Sequence, residues 1–172
     1  EILFEDCRIP ASNIMGHEGQ GFGPMQMRLS IRRLQIGAWC LGMCERALSM
    51  MIDHASHRKT FGVLLADRQT VQWWIADAVT QMHALRLMLF DATRRIQAGE
   101  RLRSEISMIK VFATETAAVV IERAMQVFGA MGMTKELPLQ AMANNARRWR
   151  IVEGPSEVHR MLIARHRLRM GA

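Results

Sequence analysis

The sequence predicts an all-α fold, an antiparallel up-and-down four-helix bundle with an extra C-terminal helix. Apolar residues recur every three or four positions over long segments, and clusters of glycine or proline separate these segments. The composition is that of a globular domain with a core, because 49% of the 172 residues are hydrophobic and 23% are charged. Fifteen Met, four Pro and no Tyr favour helices over sheet.

Residues 1–18 differ in composition from the rest of the chain. The run Ile2-Leu3-Phe4, followed by acidic residues and by Ile9-Pro10, predicts a short strand that leads into a loop. Because one strand is not stable alone, we expect its pairing partners in a missing segment. The start at Glu1 rather than Met indicates a fragment of a longer protein.

The first two helices are predicted over residues 23–57 and 67–97, with a loop at 59–66 between them. Each carries an apolar stripe with steps of three and four residues, which is the pattern of a helix that packs in a bundle. In the first helix the stripe consists of Met27, Ile31, Leu34, Ala38, Leu41, Leu48 and Ile52, with Glu45 as its polar member. In the second helix it consists of Val71, Ile75, Ala78, Met82, Leu85, Leu89, Ala92 and Ile96.

Three further helices complete the predicted bundle. They cover residues 104–128, 138–151 and 155–170, and glycines end the first of them. Its stripe consists of Ile106, Ile109, Ala113, Ala117, Val120, Ala124 and Val127. The sequence has neither a signal peptide nor an uncharged apolar run of membrane-spanning length, so no membrane span is predicted.

A carboxylate lies in the predicted turn between the last two helices. Glu153 precedes Gly154 and Pro155, which suit a tight turn and the first position of a helix. Ser156 and Glu157 then complement the positive end of that helix. A glutamate partly withdrawn from water in such a turn could serve as a general base. By itself the pattern also fits a solvated turn glutamate.

Two other segments combine residue types that suit a ligand. The run from His57 to Gly62 places cations, a hydroxyl and a phenyl ring in one loop, which could receive a pyrophosphate and stack on a ring. The run from Gln126 to Gly132 contains small residues that let a ligand or another chain approach the backbone. Taken alone, the first segment fits an ordinary interhelical loop and the second a helix cap.

Charge and motifs limit the classes of function. The net charge of +7 indicates an anionic partner or simple solubility. A phosphate-bearing small molecule explains the charge without nucleic acid, for which no binding motif is present. The sequence has no paired Glu-x-x-His motif, P-loop, Rossmann fingerprint or nucleophile elbow. No metal site is predicted, and Asp53, His54 and His57 are interpreted as a solvated helix end. Three cysteines without a framework spacing favour a cytoplasmic or organelle-matrix protein over a secreted one.

Taken together, the three segments resemble the C-terminal domain of the flavin-dependent acyl-CoA dehydrogenases over essentially the whole chain. The matching residues are Arg33 and Gly42 in the first helix, Arg58-x-x-Phe61-Gly62 with Gln69, Gln126-x-x-Gly129-x-x-Gly132, and Glu153-Gly154. The resemblance implies that residues 1–18 are the tail of a β-domain and a linker. It likewise implies that residues 19–172 are the helical C-terminal bundle of the family.

For activity, the resemblance implies FAD-dependent α,β-dehydrogenation of an acyl-CoA thioester. It places Glu153 at the position of the base that removes the α-proton while the β-hydrogen passes as hydride to flavin N5. Some members carry this acid at the position of Arg32, where an arginine cannot serve as the base. Arg33 matches an arginine near the catalytic glutamate, and the resemblance assigns Arg33, Val152 and Gly154 to the substrate site.

For cofactor and partners, the resemblance implies loops that reach the FAD of a neighbouring subunit. A homodimer or homotetramer is therefore expected, with an electron-transfer flavoprotein as the electron acceptor. The residues assigned to FAD are Arg58, Thr60, Phe61, Gln69, Gln126, Gly129, Ala130, Pro155 and Glu157.

The sequence also departs from the family pattern. Pro155 replaces a usual Thr, Val152 a common Tyr and Ala130 a second Gly, while Asn144-Asn145 replaces an Arg-Asp pair. Two alternatives stay open, an acyl-CoA oxidase and a non-catalytic or DNA-associated member of the same fold. The length of the acyl chain is not readable from these residues.

Overall fold

Five α-helices account for most of the structure, a computed structural model that describes residues 1–169. They are α1 (Phe22–His57), α2 (Gln69–Gln97), α3 (Arg103–Phe128), α4 (Leu139–Trp149) and α5 (Ser156–Arg169). The all-α bundle is thus confirmed, and each helix lies within two residues of its predicted bounds. Met170, the predicted last residue of the fifth helix, lies outside the described residues.

A small hairpin occupies the predicted loop between α1 and α2. Strand β1 (Lys59–Thr60) pairs antiparallel with β2 (Val63–Leu64), with Lys59 opposite Leu64. A 3-10 turn, Leu65–Asp67, then leads into α2. The prediction of an irregular loop was wrong here, because two residues per strand are too few to leave an alternating pattern in the sequence.

The centre of the bundle is α3, which contacts every other helix. Its predicted stripe from Ile106 to Val127 is buried throughout. The buried face of α3 is wider than the stripe, because the adjoining Lys110, Thr114 and Ile121 are also inaccessible to solvent. The stripe of α2 is also confirmed in its main members, and only Ile96 at its end is exposed.

The predicted stripe of α1 was mostly wrong. Met27, Ile31 and Ile52 are exposed, and only Leu48 of that stripe is buried. The side that faces the core instead carries mainly small side chains, namely Ile36, Gly37, Cys40, Cys44, Ala47, Leu48, Met51 and Ala55. Small residues let the axes of α1 and α3 approach closely, so packing selects the side with less bulk rather than the side with larger apolar groups.

The predicted strand at residues 2–4 does not form. Residues 1–10 contain neither helix nor strand, and Ile2, Leu3 and Phe4 are largely exposed. A strand needs a neighbour to accept its backbone hydrogen bonds, and no other segment of residues 1–169 pairs with it. Among these residues, no helix is both long and apolar enough to cross a lipid bilayer.

Two glycines of α1 give a stability prediction. Gly42→Ala should raise the free energy of unfolding by about 0.5–1 kcal/mol, because Ala is the better helix former and an added Cβ meets no atom within 4 Å. Gly37→Ala should instead lower it by about 1 kcal/mol, because the new Cβ would lie 2.9 Å from Ile109 Cγ2 and 3.1 Å from Leu89 Cδ2. Urea denaturation followed by circular dichroism measures the free energy of unfolding of both variants. An equal change of the same sign in both would contradict the proposed close contact of residue 37 with Ile109 and Leu89.

Candidate functional site

The turn between α4 and α5 has an unusual backbone at Glu153. Its φ of +59° lies in the left-handed region, and Gly154 follows with a φ of +95°. A left-handed residue other than Gly costs about 1–2 kcal/mol, so the surrounding structure must hold it in place. Part of that support is the Ser156 N–H, which donates to the Arg150 carbonyl over 3.1 Å and closes the turn.

Three side chains from three helices hold the turn from inside. Arg33 Nε of α1 donates to the Glu153 carbonyl over 2.9 Å, and His159 Nε2 of α5 lies 3.2 Å from the same oxygen. Lys110 Nζ of α3 donates to the next carbonyl, that of Gly154, over 2.6 Å. We call Arg33, Lys110 and His159 the carbonyl clamp. Because the clamp binds backbone oxygens, it orients Glu153 without engaging the carboxylate.

The hydrogen bonds of His159 define its proton position. Its Nε2 faces a carbonyl oxygen, which only accepts, so Nε2 must carry the hydrogen. Its Nδ1 lies 3.0 Å from Ser107 Oγ, whose single hydroxyl proton is also within reach of the Arg103 carbonyl, 3.1 Å away. Burial lowers the pKa of His159 to about 4, and the nearby Arg33 and Lys110 cations act in the same direction. The neutral Nε2–H form is therefore the folded form at neutral pH.

This shift predicts a loss of stability in acid. The unfolded chain protonates His159 near its ordinary pKa of 6.5, whereas the folded chain keeps it neutral down to about pH 4. Between these values the unfolded state binds more protons, so the stabilisation is complete above pH 6.5 and declines as the pH falls towards 4. The loss is on the order of 3 kcal/mol at about 1.4 kcal/mol per pKa unit.

Urea denaturation between pH 7.5 and 4.5, compared with His159→Gln, measures this effect. Glutamine can still donate to the Glu153 carbonyl but does not titrate in this range, so the variant should lose less stability in acid. An identical pH dependence in both proteins would show that His159 is not the titrating group.

The clamp also concentrates positive charge. Lys110 is fully buried, and this burial, reinforced by Arg33, lowers its pKa to about 8. Burial likewise lowers the pKa of Arg33, although the Glu153 carboxylate opposes that shift. Two cations therefore lie beneath the turn, and they favour negative charge on the groups that it carries.

The Glu153 carboxylate itself points to a partly open surface. Its side chain is 21% exposed, and Oε1 lies 3.8 Å from Arg32 Nε. The Arg32 guanidinium is stacked over the Trp39 ring at 4.3 Å, and Trp39 stacks on Trp149. The carboxylate thus has one cation beside it and an open path to solvent.

Other predicted residues surround this turn. Val152, Pro155 and Glu157 are exposed next to it, and Gly154 leaves no room for a side chain because an added Cβ would lie 3.0 Å from His159 Nε2. Arg33, assigned from the sequence to the substrate site, donates its Nε–H to the Glu153 carbonyl and so binds the backbone of the turn. The structure therefore gathers Glu153, Val152, Gly154, Pro155, Glu157 and Arg33 in one place.

A second group of predicted residues lines a cavity of about 510 Å³ between α3, α4 and the 3-10 turn Gly129–Met133. Gln126, Gly129 and Ala130 face it at one end. Gly129 has a φ of +63°, and an added Cβ there meets nothing within 4 Å. The remaining lining residues are Ala118, Glu122, Met125, Met133, Ala143, Arg147 and Arg150.

The hairpin presents a third predicted group. Phe61 is 99% exposed and has a φ of +52°, and Gly62 has a φ of +78°, as in type I′ hairpin turns. A bulky residue rarely adopts this conformation, which here projects the ring into solvent. Arg68 Nη2 donates to the Thr60 carbonyl over 2.8 Å and fixes the hairpin against α2.

The predicted residues lie at two ends of the bundle. His54 stacks on Phe128 with ring centroids 4.2 Å apart, so the hairpin follows α1 at the end where α3 stops. Arg33 and Arg58 are separated by about 37 Å along α1, at 1.5 Å per residue. Gln69 begins α2 beside the hairpin, and the Glu153 turn lies at the opposite end. Within one chain, the hairpin therefore cannot serve the Glu153 turn.

Sequence reasoning missed Lys110, His159, Ser107 and Arg68. Lys110 had a detectable signal, because it lies four residues after Ile106 and three before Ala113, on the predicted stripe. His159 and Ser107 had no such signal, since their partners come from distant parts of the chain. No group of three or more His, Cys, Asp or Glu side chains in residues 1–169 is arranged to hold a metal ion.

Comparison with known proteins adds independent findings. Residues 19–168 match the family described as "Acyl-CoA dehydrogenase, C-terminal domain". The chain is 43% identical to (R)-benzylsuccinyl-CoA dehydrogenase of Thauera aromatica over 99% of its own length and 42% of that relative.

Solved structures give the same result for the fold. Butyryl-CoA dehydrogenase from Megasphaera elsdenii superposes with a TM-score of 0.91 and 31% identity, over 96% of this chain and 43% of that one. A chain in the structure of the electron transferring flavoprotein of Acidaminococcus fermentans superposes with a TM-score of 0.92 and 32% identity, over 97% and 44% respectively. The chain thus spans about two fifths of the length of these relatives.

Proposed function

Because this chain belongs to the acyl-CoA dehydrogenase family, we propose that it is the C-terminal helical domain of an enzyme that dehydrogenates an acyl-CoA thioester with FAD. In this proposal residues 1–18 connect the bundle to a preceding β-domain, and residues 19–172 form the bundle itself. The chain alone is expected to be inactive, because it spans only about two fifths of its relatives.

The observation that carries the proposal is the Glu153 turn. Its carboxylate is partly exposed, while its backbone is held by the carbonyl clamp in a conformation that costs energy. Such an arrangement suits a general base, which needs a fixed position and access to substrate. We assign to Glu153 the removal of the α-proton.

The backbone at the turn can assist the same step. Within residues 1–169 the Glu153 N–H has no hydrogen-bond partner, so it is available to the thioester oxygen. Negative charge grows on that oxygen as the α-proton leaves, and an N–H donor stabilises it. The buried Lys110 cation and the partly buried Arg33 cation bind carbonyls of the same turn and act in the same sense.

The residues at the opposite end fit a flavin nucleotide. Arg58 supplies a cation, Gln126 an amide, and Phe61 an exposed ring on which an aromatic group can stack. The missing Cβ of Gly129 leaves the backbone open to a ligand along the 510 Å³ cavity. Thr60, Gln69 and Ala130 belong to the same proposed contact, and Pro155 and Glu157 to a flavin contact near Glu153. When bound, FAD supplies the acceptor for the β-hydride.

The separation of the two ends supports self-association. If the hairpin contacts FAD, that FAD cannot also lie against Glu153 of the same chain, because Arg58 and Arg33 are about 37 Å apart along α1. We therefore propose a homodimer or homotetramer in which the hairpin serves a neighbouring subunit. An electron-transfer flavoprotein is the proposed electron acceptor.

The full-length protein tests this function. It should copurify with FAD, and its flavin absorbance should bleach anaerobically with an acyl-CoA, yielding the trans-2-enoyl-CoA. Hydrogen peroxide formed in air at the rate of substrate oxidation would favour an oxidase instead. A flavin that no acyl-CoA of a chain-length series reduces would refute the proposal.

A further inference from the structure

Arg32 is held rigidly beside the carboxylate of Glu153. Its guanidinium lies 4.3 Å over the Trp39 ring, and Trp39 is in turn stacked on Trp149. A guanidinium stacked on an aromatic face keeps its plane and its direction. The Arg32 side chain is nevertheless 38% exposed, so a fixed cation faces the open side of the proposed site.

The hydrogen-bonding capacity of Arg32 is largely unused. Its Nη1 donates weakly to Gln35 over 3.4 Å, and the 3.8 Å between Nε and Glu153 Oε1 is too long for a hydrogen bond. In the described part of the chain, no other carboxylate lies within 4 Å of Arg32. An arginine has five N–H donors, so most of them remain free for a ligand.

The surroundings of Arg32 form a groove that is basic and apolar. Arg28 lies one turn earlier on the same side of α1, and the exposed side chains of Met27 and Ile31 line the same groove. The groove measures about 370 Å³, and none of its lining residues is acidic. It therefore offers an apolar wall for a carbon chain and cations for a negative group.

We propose that Arg32 is a specificity-determining residue that selects acyl groups carrying a second carboxylate. This inference rests on the proposed function, since it places the α-carbon of the thioester at Glu153. A carboxylate a few carbons from the thioester would then meet the free side of the guanidinium and accept two parallel hydrogen bonds. A neutral acyl chain would displace water from the guanidinium without supplying an acceptor in its place, which disfavours it.

The CoA phosphates are a second source of negative charge, and position distinguishes them from the acyl carboxylate. Arg32 adjoins the group assigned to α-proton removal, whereas the pantetheine arm separates the thioester from the phosphates. A contact of Arg32 with CoA phosphate would strengthen the binding of all CoA thioesters equally. A contact with the acyl carboxylate would strengthen the binding only of thioesters that carry this extra charge.

The test compares glutaryl-CoA with its monomethyl ester, which has almost the same shape without the distal charge. In the full-length protein, kcat/KM for anaerobic flavin reduction should favour the acid by about tenfold or more. Arg32→Gln should reduce this preference to near unity. Arg32→Lys should retain part of it, because lysine keeps the positive charge but lacks the two parallel N–H donors of the guanidinium. Arg46→Gln, an exposed arginine of the same helix, is the matched control and should keep the preference.

Binding provides a readout that does not depend on turnover. Isothermal titration calorimetry in the Glu153→Gln background should show the same preference for the acid, and adding Arg32→Gln should remove it. Equal kcat/KM and affinity of the wild type for the acid and the ester would overturn the role of Arg32, and so would an equal decrease for both in Arg32→Gln. Either result would leave the dehydrogenase proposal intact. Failure of every thioester to reduce the flavin would overturn the proposed function, while the calorimetry would still decide whether Arg32 selects the charge.

Discussion

Glu153→Gln in the full-length protein is expected to keep FAD bound and to lower the rate of flavin reduction by acyl-CoA by at least about a thousandfold. The amide has nearly the size of the carboxylate but cannot accept the α-proton. The carbonyl clamp holds the backbone oxygens of Glu153 and Gly154, which the substitution does not alter. The turn should therefore keep its shape, and the loss should appear in the rate of reduction rather than in substrate affinity.

Stopped-flow measurement of anaerobic flavin bleaching tests this expectation. Glu136→Gln is the control, because Glu136 is an exposed glutamate before α4 that makes no ion pair within residues 1–169. Glu153→Asp keeps the carboxylate but withdraws it by one methylene, so an intermediate rate is expected. Wild-type bleaching by Glu153→Gln would remove this residue from the proposed mechanism.

Gly132→Ala is expected to lower the free energy of unfolding by about 3 kcal/mol. Gly132 is buried in the 3-10 turn after α3, and an added Cβ would lie 2.6 Å from the Met125 carbonyl oxygen and 3.0 Å from Met125 Cα. These are backbone atoms of the last turns of α3, so no side-chain rotation can relieve the clash. The end of α3 would have to unwind, and the cavity beside Gln126 would change with it.

Gly129→Ala provides a comparison within the same segment. An added Cβ there meets nothing within 4 Å, but a φ of +63° with a ψ of −138° lies in a region that essentially only glycine adopts, so a side chain costs about 1–3 kcal/mol. Urea denaturation should therefore rank Gly132→Ala as the more damaging change. In the full-length protein, both variants should also copurify with less FAD. A larger loss of stability for Gly129→Ala than for Gly132→Ala would contradict the proposed clash between residue 132 and the Met125 backbone.

The buried stripes of α2 and α3 were predictable, because the apolar side chains of each helix recur on one side only. In α1, two sides carry apolar residues: Met27 and Ile31 lie on the exposed side, and Cys40 and Cys44 on the buried side. The spacing of apolar residues shows which sides of a helix are apolar but not how large their side chains are. Close packing against α3 requires small side chains. The choice between the two stripes was therefore beyond the sequence pattern.

The same distinction applies to the site. The position of Glu153 in a turn followed from Gly154 and Pro155, since these residues constrain their own backbone. The clamp on that turn did not follow, because Arg33 lies 120 residues from Glu153 and Lys110 lies 44 residues from Gly154. Contacts at such separations have no local signature.

The helices, their order and the position of Glu153 in a turn follow from local signals in the sequence, because backbone propensity and apolar spacing act over a few residues. The buried side of α1, the three donors that hold the Glu153 turn, and the separation of the hairpin from this turn follow only from the packed fold. These features depend on side-chain volume and on distances between remote residues, which appear only when the helices pack against one another.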